Sequence, residues 1–532
     1  MHTPGSKKLT RNNLTARPGT VYLVGAGPGD PKLLTIAGLE ALRRAEVLVF
    51  DALANPVLLD LAPPRALRID AGKRAKQHTL TQDQTQQLLA EHALAGRTVV
   101  RLKGGDPYVF GRGSEEAIYL HERGVPVVVI PGITAAIAAP AYAGIPVTHR
   151  QIATTCTLVT GHEDPTKDEG QVEFGPLAQL AKRGGTLCFY MGMSRLNAIA
   201  AGLMGEGLSG DTPAAVIQWG TRDKQRCVRG SLSRLHDKAT AGGLGAPAII
   251  IVGQVAGIDD AALNWFMRRP LFGRTIVVTR TRQQASELRE RLEALGAHVI
   301  ETPTIALEQP TSEQWAGVLD AVRNVRDYAW LILTSINGVE GLRRALAELK
   351  VDARALAGVK IAAIGEATAA AMREQLGIKA DLVPTAFVAE SLAGELLAQH
   401  DLKGQRVLML RADIARPALV ELLTKAGAMV EDRTIYRTVV PPPEGVSDEL
   451  MEAMTNRRVD WITFTSSSTA KNLVEMLGPR KNWLTGVKTA SIGPITSATL
   501  RELGLDVTME AERHDMDGLV AGLLKAVEGG GN

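Results

Sequence analysis

Val21-Tyr-Leu-Val24 runs directly into Gly25-Ala-Gly27-Pro28-Gly29-Asp30-Pro31, and then into the spaced apolar residues Leu33, Leu34, Ala37 and Leu42. A short apolar run, a glycine turn and a helical period read as strand, loop and helix. Asp30 before Pro31 predicts the helix start there, since the carboxylate caps free amides and proline suits the first helical position. Further strands are expected at Val47–Phe50, Thr98–Leu102, Val125–Ile130, Thr157–Val159, Thr186–Tyr190 and Ala248–Val252. This alternation predicts an α/β chain. Residues 124–147 carry no charge, but Pro126, Pro131, Pro140 and Pro146 would break a spanning helix. They read instead as a buried strand, a turn and a small-residue helix.

The balance of 60 Lys+Arg against 57 Asp+Glu in 532 residues lacks the basic excess of a dedicated nucleic-acid binder. An aromatic share of 4% also argues against base stacking. Cys156, Cys188 and Cys227 form no paired spacing, which fits a reducing cytosol and predicts no structural metal. His149 and His162 lack ligand spacing and read as ordinary loop histidines. Residues 1–19 show no signal peptide and read as a disordered tail, so a soluble cytoplasmic protein without membrane contact is expected.

A composition shift near Trp265–Pro270 marks the main boundary, after which Arg274–Thr279 restarts a strand. The second half repeats itself. Ala329-Trp-Leu-Ile-Leu-Thr-Ser335 echoes Asp460-Trp-Ile-Thr-Phe-Thr-Ser466, with Thr334 and Thr465 standing 131 residues apart. Gly358-Val-Lys-Ile-Ala-Ala-Ile-Gly365 echoes Gly486-Val-Lys-Thr-Ala-Ser-Ile-Gly493. So long a unit is a duplicated α/β domain, since solenoid periods run to roughly 20–50 residues.

Gly25-x-Gly27-x-Gly29, with Asp51 ending the next strand, invites a nicotinamide-dinucleotide reading. The spacing is wrong for that fingerprint, and Asp30 would set a negative charge beside a pyrophosphate. More informative is Arg101-Leu-Lys103-Gly104-Gly105-Asp106-Pro107-Tyr-Val109, whose glycines allow close backbone approach to a ligand. Pro131-Gly132-Ile-Thr134-Ala135 supplies a further loop at a strand end.

These loops and their neighbours, GAGPGDPKLLT (25–35), LVFD (48–51), AGKRAKQH (71–78), RLKGGDPYVFGRGSEE (101–116), PGITAA (131–136), GIPVTHR (144–150), VTGH (159–162) and FYMGM (189–193), resemble uroporphyrinogen-III C-methyltransferase of the tetrapyrrole methylase family over residues 20–265. The resemblance implies a two-lobed α/β fold, usually homodimeric, that methylates uroporphyrinogen III twice with S-adenosyl-L-methionine to give precorrin-2 on the siroheme or cobalamin branch. Carried over by motif, cofactor contacts are Pro28, Gly104, Gly105, Asp106, Val109, Thr134, Ala135, Met191 and Gly220. Asp51 matches the family's proton acceptor and Lys73 its proton donor. From the residues alone, Asp51 also reads as a helix cap and Lys73 as a solvated lysine. A lysine near its ordinary pKa of about 10.4 donates poorly at neutral pH unless burial or a cation such as Arg74 lowers it. The substrate's carboxylates predict a basic approach surface. Lys73, Arg74, Lys76, His78, Arg101, Lys103, Arg112, His149 and Arg150 all lie in or beside the matching loops, and the sequence leaves open which of them point inward.

In the second half, IVVTR (276–280), LTSINGVEGL (333–342), AAIGEATAAAM (362–372), VLMLRAD (407–413), TIYRTV (434–439), TFTSSSTAKNL (463–473) and SIGPITSATL (491–500) resemble uroporphyrinogen-III synthase. That implies two flavodoxin-like domains joined by a two-stranded ladder over 272–532. Residues 272–304 with 440–532 would form one lobe and 305–436 the other. It also implies closure of hydroxymethylbilane with inversion of its last ring, with loss of water. Tyr436 is the candidate to assist hydroxyl departure, and a packed hinge tyrosine is the alternative. A rival reading makes this half a tetrapyrrole-binding module without catalysis.

Overall fold

The computed structural model describes residues 19–72, 80–161, 172–279, 282–386, 389–442 and 446–529. The tail expected over 1–19 therefore falls, except for Gly19, outside the described residues, as do Lys73, Arg74, Lys76, His78 and His162. The chain divides into two compact units, one of residues up to Arg274 with Leu292–His298, the other of Thr275–Arg291 with the residues from Val299 onward.

In the first unit, β1 (Val21–Gly25), β2 (Val47–Phe50), β3 (Leu67–Asp70), β4 (Val99–Lys103) and β5 (Val127–Ile130) form a parallel sheet in the order β3-β2-β4-β1-β5. β1, β2 and β4 are buried on both faces, which accounts for their continuous apolar runs. β5 is not the buried strand expected from its sequence. It lies at the sheet edge, and Val128 is 42% exposed. The helix expected from Asp30 is also displaced. Asp30 caps only a single 3₁₀ turn, Pro31–Leu33, and the helix Ile36–Arg43 starts after its own cap, Thr35. Pro31 suits the start of either kind of turn, so it could not separate the two.

A second sheet joins β6 (Cys156–Thr160), β7 (Thr186–Tyr190), β8 (Pro213–Gln218), β9 (Arg226–Ser231) and β10 (Ala248–Val252) in the order β6-β7-β10-β8-β9. Only β6 and β7 run parallel; the remaining pairs are antiparallel. The small-residue helix Ala135–Tyr142 leaves the first sheet and buries Ala136 and Ala139 against Cys188, Ala215 and Ile217 of the second.

The second unit holds two similar sheets. One orders its strands β12-β11-β18-β19-β20, from β11 (Thr275–Val278), β12 (His298–Glu301), β18 (Trp461–Phe464), β19 (Lys488–Ser491) and β20 (Met509–Glu510). The other runs β13-β17-β16-β14-β15, from β13 (Ala306–Glu308), β14 (Trp330–Leu333), β15 (Lys360–Ala363), β16 (Arg406–Ala412) and β17 (Met429–Val439). In chain order the first sheet reads 2-1-3-4-5, the flavodoxin arrangement. The second repeats that order, with β13 in the fifth position. There β13 pairs antiparallel with the end of β17, Ala306 opposite Val439 and Glu308 opposite Arg437. This is the two-stranded ladder the resemblance implied. The repeat becomes structural at Trp330 and Trp461, which open equivalent strands and are both buried. Ser335 and Ser466 then cap the equivalent helices that follow, Ile336–Glu348 and Ser467–Leu477.

Candidate functional site

The loops after β4, β1 and β5 leave the carboxyl ends of three adjacent parallel strands, where open α/β sheets place ligands. They are fastened to each other by backbone. Gly27 and Gly105 exchange amide hydrogen bonds of 3.1 and 2.8 Å. A Cβ on Gly132 would stand 2.3 Å from the Gly105 carbonyl oxygen, so no other residue fits there. Asp106 clamps the set: one carboxylate oxygen accepts from the Tyr108 amide at 2.8 Å and the other from Gly132 at 3.0 Å. These glycines therefore serve chain-on-chain contact first, which their spacing alone does not distinguish from ligand approach. Gly105 differs. Its φ is +67°, and an added Cβ would meet nothing nearer than the Ala135 nitrogen at 3.9 Å. That side of the loop is open and bordered by Thr134 and Ala135, leaving room for a bound group.

The second lobe closes on these loops. Tyr190, ending β7, brings its hydroxyl to Thr134 Oγ1 at 2.5 Å and accepts from the Ala136 amide at 3.0 Å. The N-terminus of the helix Ala135–Tyr142 is thus held by a side chain from the other sheet. Phe110, one residue beyond Val109, lies 5.0 Å from the Tyr190 ring. Met191 follows with φ +53° and is 51% exposed, a strained position of the sort found at ligand sites. Gly220 abuts the same helix, where a Cβ would approach that of Ala139 to 2.3 Å. Pro28 is placed by its neighbours. The Asn55 side chain donates to the Gly29 carbonyl at 2.7 Å, and the Asp30 amide donates to Thr221 at 3.0 Å. The Tyr142 hydroxyl donates to the Asp30 carboxylate at 2.9 Å. Pro28, Gly104, Gly105, Asp106, Val109, Thr134, Ala135, Met191 and Gly220 therefore stand in loops linked by direct contacts. None of this suits a dinucleotide fingerprint, because the first loop opens no helix and its Gly27 amide is already bonded.

Asp51 stands at the carboxyl end of β2, beside β4. It caps no helix; the Arg101 guanidinium donates to its Oδ1 at 2.5 Å. Oδ2 has no partner among the described residues. The following loop packs Leu53 on Gly104, and the Leu53 carbonyl accepts from Arg222 at 2.8 Å. Lys73 lies outside the described residues.

Of the basic residues in or beside the matching loops, Arg101 and Lys103 turn inward. Two residues apart on β4, they share one face, with side chains 5% and 4% exposed. Both point to fully buried Glu116, whose Oε1 accepts from Arg101 Nε at 3.3 Å, Lys103 Nζ at 3.1 Å and Gln82 at 3.2 Å. Burial, with the Arg101 charge alongside, lowers the Lys103 ammonium from its ordinary range. Neither cation reaches solvent to meet substrate. Arg112, His149 and Arg150 are exposed. No group of three or more metal-ligating side chains occurs among the described residues.

In the second unit, Tyr436 lies one residue past a bulge at Ile435, where the β16–β17 register shifts. Its hydroxyl is 3.0 Å from Ser335 Oγ, which also accepts from the Gly338 amide at the start of the helix Ile336–Glu348. The tyrosine ring packs on the core while its hydroxyl reaches a helix N-terminus.

The tetrapyrrole (corrin/porphyrin) methylase family model matches residues 20–236, and the model of uroporphyrinogen-III synthase HemD matches 286–521. The porphyrin biosynthesis protein HemD of Ruminiclostridium josui is 36% identical over 515 residues, 97% of this chain and 99% of its own length. The uroporphyrinogen-III C-methyltransferase of Bacillus subtilis is 42% identical over 65% of this chain and 70% of its own. The S-adenosyl-L-methionine-dependent uroporphyrinogen III methyltransferase of Methanosarcina barkeri is 49% identical over 46% of this chain and 94% of its own. The family models and relatives thus define, on this fold, a methylase followed by a second α/β enzyme. The chain belongs to the family in which a tetrapyrrole methylase and a uroporphyrinogen-III synthase are fused in one polypeptide.

Proposed function

We propose that the chain closes hydroxymethylbilane to uroporphyrinogen III, inverting the last ring, and then methylates that product twice to precorrin-2. On this reading residues 20–265 are the methyltransferase and 272–532 the synthase, with 272–304 and 440–532 as one lobe and 305–436 as the other. The observation that carries it is the gathering of the carboxyl-edge loops around the open side of Gly105, with Asp51 on the same edge. S-adenosyl-L-methionine, when bound, supplies an electrophilic sulfonium methyl. Pro28, Gly104, Gly105, Asp106, Val109, Thr134, Ala135, Met191 and Gly220 bind and orient it. Asp51 accepts, at an Oδ2 without a partner among the described residues, the proton that the tetrapyrrole cation sheds from a ring nitrogen or a bridging carbon once a pyrrole carbon has taken the methyl group. Lys73 is the proton donor, and Arg112, His149 and Arg150 meet substrate carboxylates.

In the synthase half, loss of hydroxide leaves the substrate its own electrophile, so the protein's task is mainly to fold the chain. Tyr436 assists that departure by donating from its hydroxyl. A homodimer formed through the methyltransferase half would cover the exposed Val128, Ile133 and Ile137. Free thiols at all three cysteines support a cytoplasmic location. The test is methyl transfer to uroporphyrinogen III by Asp51→Ala, which should be lost while ring closure continues. Near wild-type methylation would remove Asp51 from the mechanism.

A further inference from the structure

The buried charges beside Asp51 are built in a way that stability does not explain. Two cations and a carboxylate taken from water seldom stabilise a fold more than apolar residues of similar volume would. Here the accounting is also incomplete. Glu116 Oε2 and Arg101 Nη1 are buried with no hydrogen-bond partner among the described residues, whereas buried polar atoms in a purely structural network are normally satisfied. What the arrangement does achieve is geometric. The planar guanidinium of Arg101 spans two carboxylates, Nε toward Glu116 and Nη2 toward Asp51 Oδ1. Fixing one edge of that rigid fork orients the other.

We propose that Glu116, acting through Arg101, is a positioning residue for Asp51. It anchors the guanidinium so that Oδ1 is held and Oδ2 is left to take the proton that the methylated tetrapyrrole cation sheds. Its charge also offsets the buried cations Arg101 and Lys103. Glu116 touches neither substrate nor cofactor in this scheme. The inference rests on the reading of Asp51 as proton acceptor.

The test compares the full-length chain with Glu116→Gln, Asp51→Asn and the double variant. It measures melting, S-adenosyl-L-methionine affinity by calorimetry, and kcat and KM for methyl transfer to uroporphyrinogen III. Glu116→Gln should leave cofactor affinity and KM unchanged and lower kcat roughly tenfold, a fraction of what general-base catalysis supplies. The double variant should be no slower than Asp51→Asn, because Glu116 has nothing left to position. Wild-type kcat in Glu116→Gln, or a double variant slowed by the product of the two single effects, overturns the proposal. Should Glu116→Gln fail to fold, Arg101→Lys keeps the charge but cannot span both carboxylates. It should show the same loss of kcat, and wild-type kcat there also overturns the proposal. If Asp51→Asn itself methylates normally, the reading of Asp51 fails and takes this inference with it. If only the Glu116 effect is missing, Asp51 stands and the inference alone falls.

Discussion

Gly105→Ala separates what the fold asks of this glycine from what the cofactor asks. The residue sits at φ +67°, where an L side chain costs about 1–2 kcal/mol. The added methyl meets no protein atom nearer than 3.9 Å, so no packing penalty is added. Gly124 is the matched control. It has φ +70°, nothing within 4 Å of an added Cβ, and a position in the turn after the helix Gly113–His121, away from the loops of the site. Both alanine variants should therefore lower the melting temperature of the methyltransferase transition by a similar amount, about 2–8 °C. Only Gly105→Ala should also weaken S-adenosyl-L-methionine binding, by at least about tenfold, or roughly 1.4 kcal/mol. Calorimetric titration of both variants reads the difference directly. If Gly105→Ala melts lower but binds the cofactor as wild type does, the open side of that loop is not the binding face.

Tyr436→Phe should cost at most about 0.5–1.5 kcal/mol of stability through the lost contact with Ser335. Its larger effect should be slowed closure, with the type I isomer accumulating at limiting enzyme as spontaneous closure without inversion takes over. An unaltered type III fraction would return Tyr436 to a packing role. Acid should weaken the synthase unit through Glu431. Partial burial opposes ionisation there, but hydrogen bonds from Tyr328 and Arg433 outweigh it and hold the carboxyl below its ordinary range. The folded state then binds fewer protons than the unfolded one, so stability is full above the unfolded carboxylate value and is lost as pH falls below it. Urea midpoints of the synthase transition should decline from about pH 5 downward, and Glu431→Gln should flatten that decline.

Much of the fold can be read from apolar runs. Val47–Phe50, Thr186–Tyr190 and Ala248–Val252 are bounded where their hydrophobic residues begin and end, because each lies inside a sheet. Leu67–Asp70 carries the opposite signal. It is an edge strand with exposed Leu67, Arg68 and Asp70, and its sequence resembles a loop. The hairpin of β8 and β9 is hidden for a related reason, since Arg226–Ser231 is polar and half-buried. The duplicated half announced itself through Trp330 and Trp461, whose common place in the repeat is also a common place in the core.

The site was legible as loops but not as contacts. The direction of Arg101 and Lys103 stayed open because a sequence shows their spacing on a strand, not that Glu116 lies buried over that face. Tyr190 held no polar signal at all; its role depends on a helix N-terminus brought from another sheet. The alternation of Arg101 and Lys103 with apolar Leu102, followed by Glu115-Glu116 at a helix start, is the one pattern that could have suggested an internal charge cluster.

On the proposed reading one chain performs two consecutive reactions. The most direct test supplies purified full-length protein with hydroxymethylbilane alone, and then with S-adenosyl-L-methionine, and identifies the tetrapyrroles formed. Without the methyl donor the product should be uroporphyrinogen III, and with it a dimethylated precorrin-2 should replace that product. Formation of only the type I isomer, or of type III that gains no methyl group when the donor is present, would contradict the account.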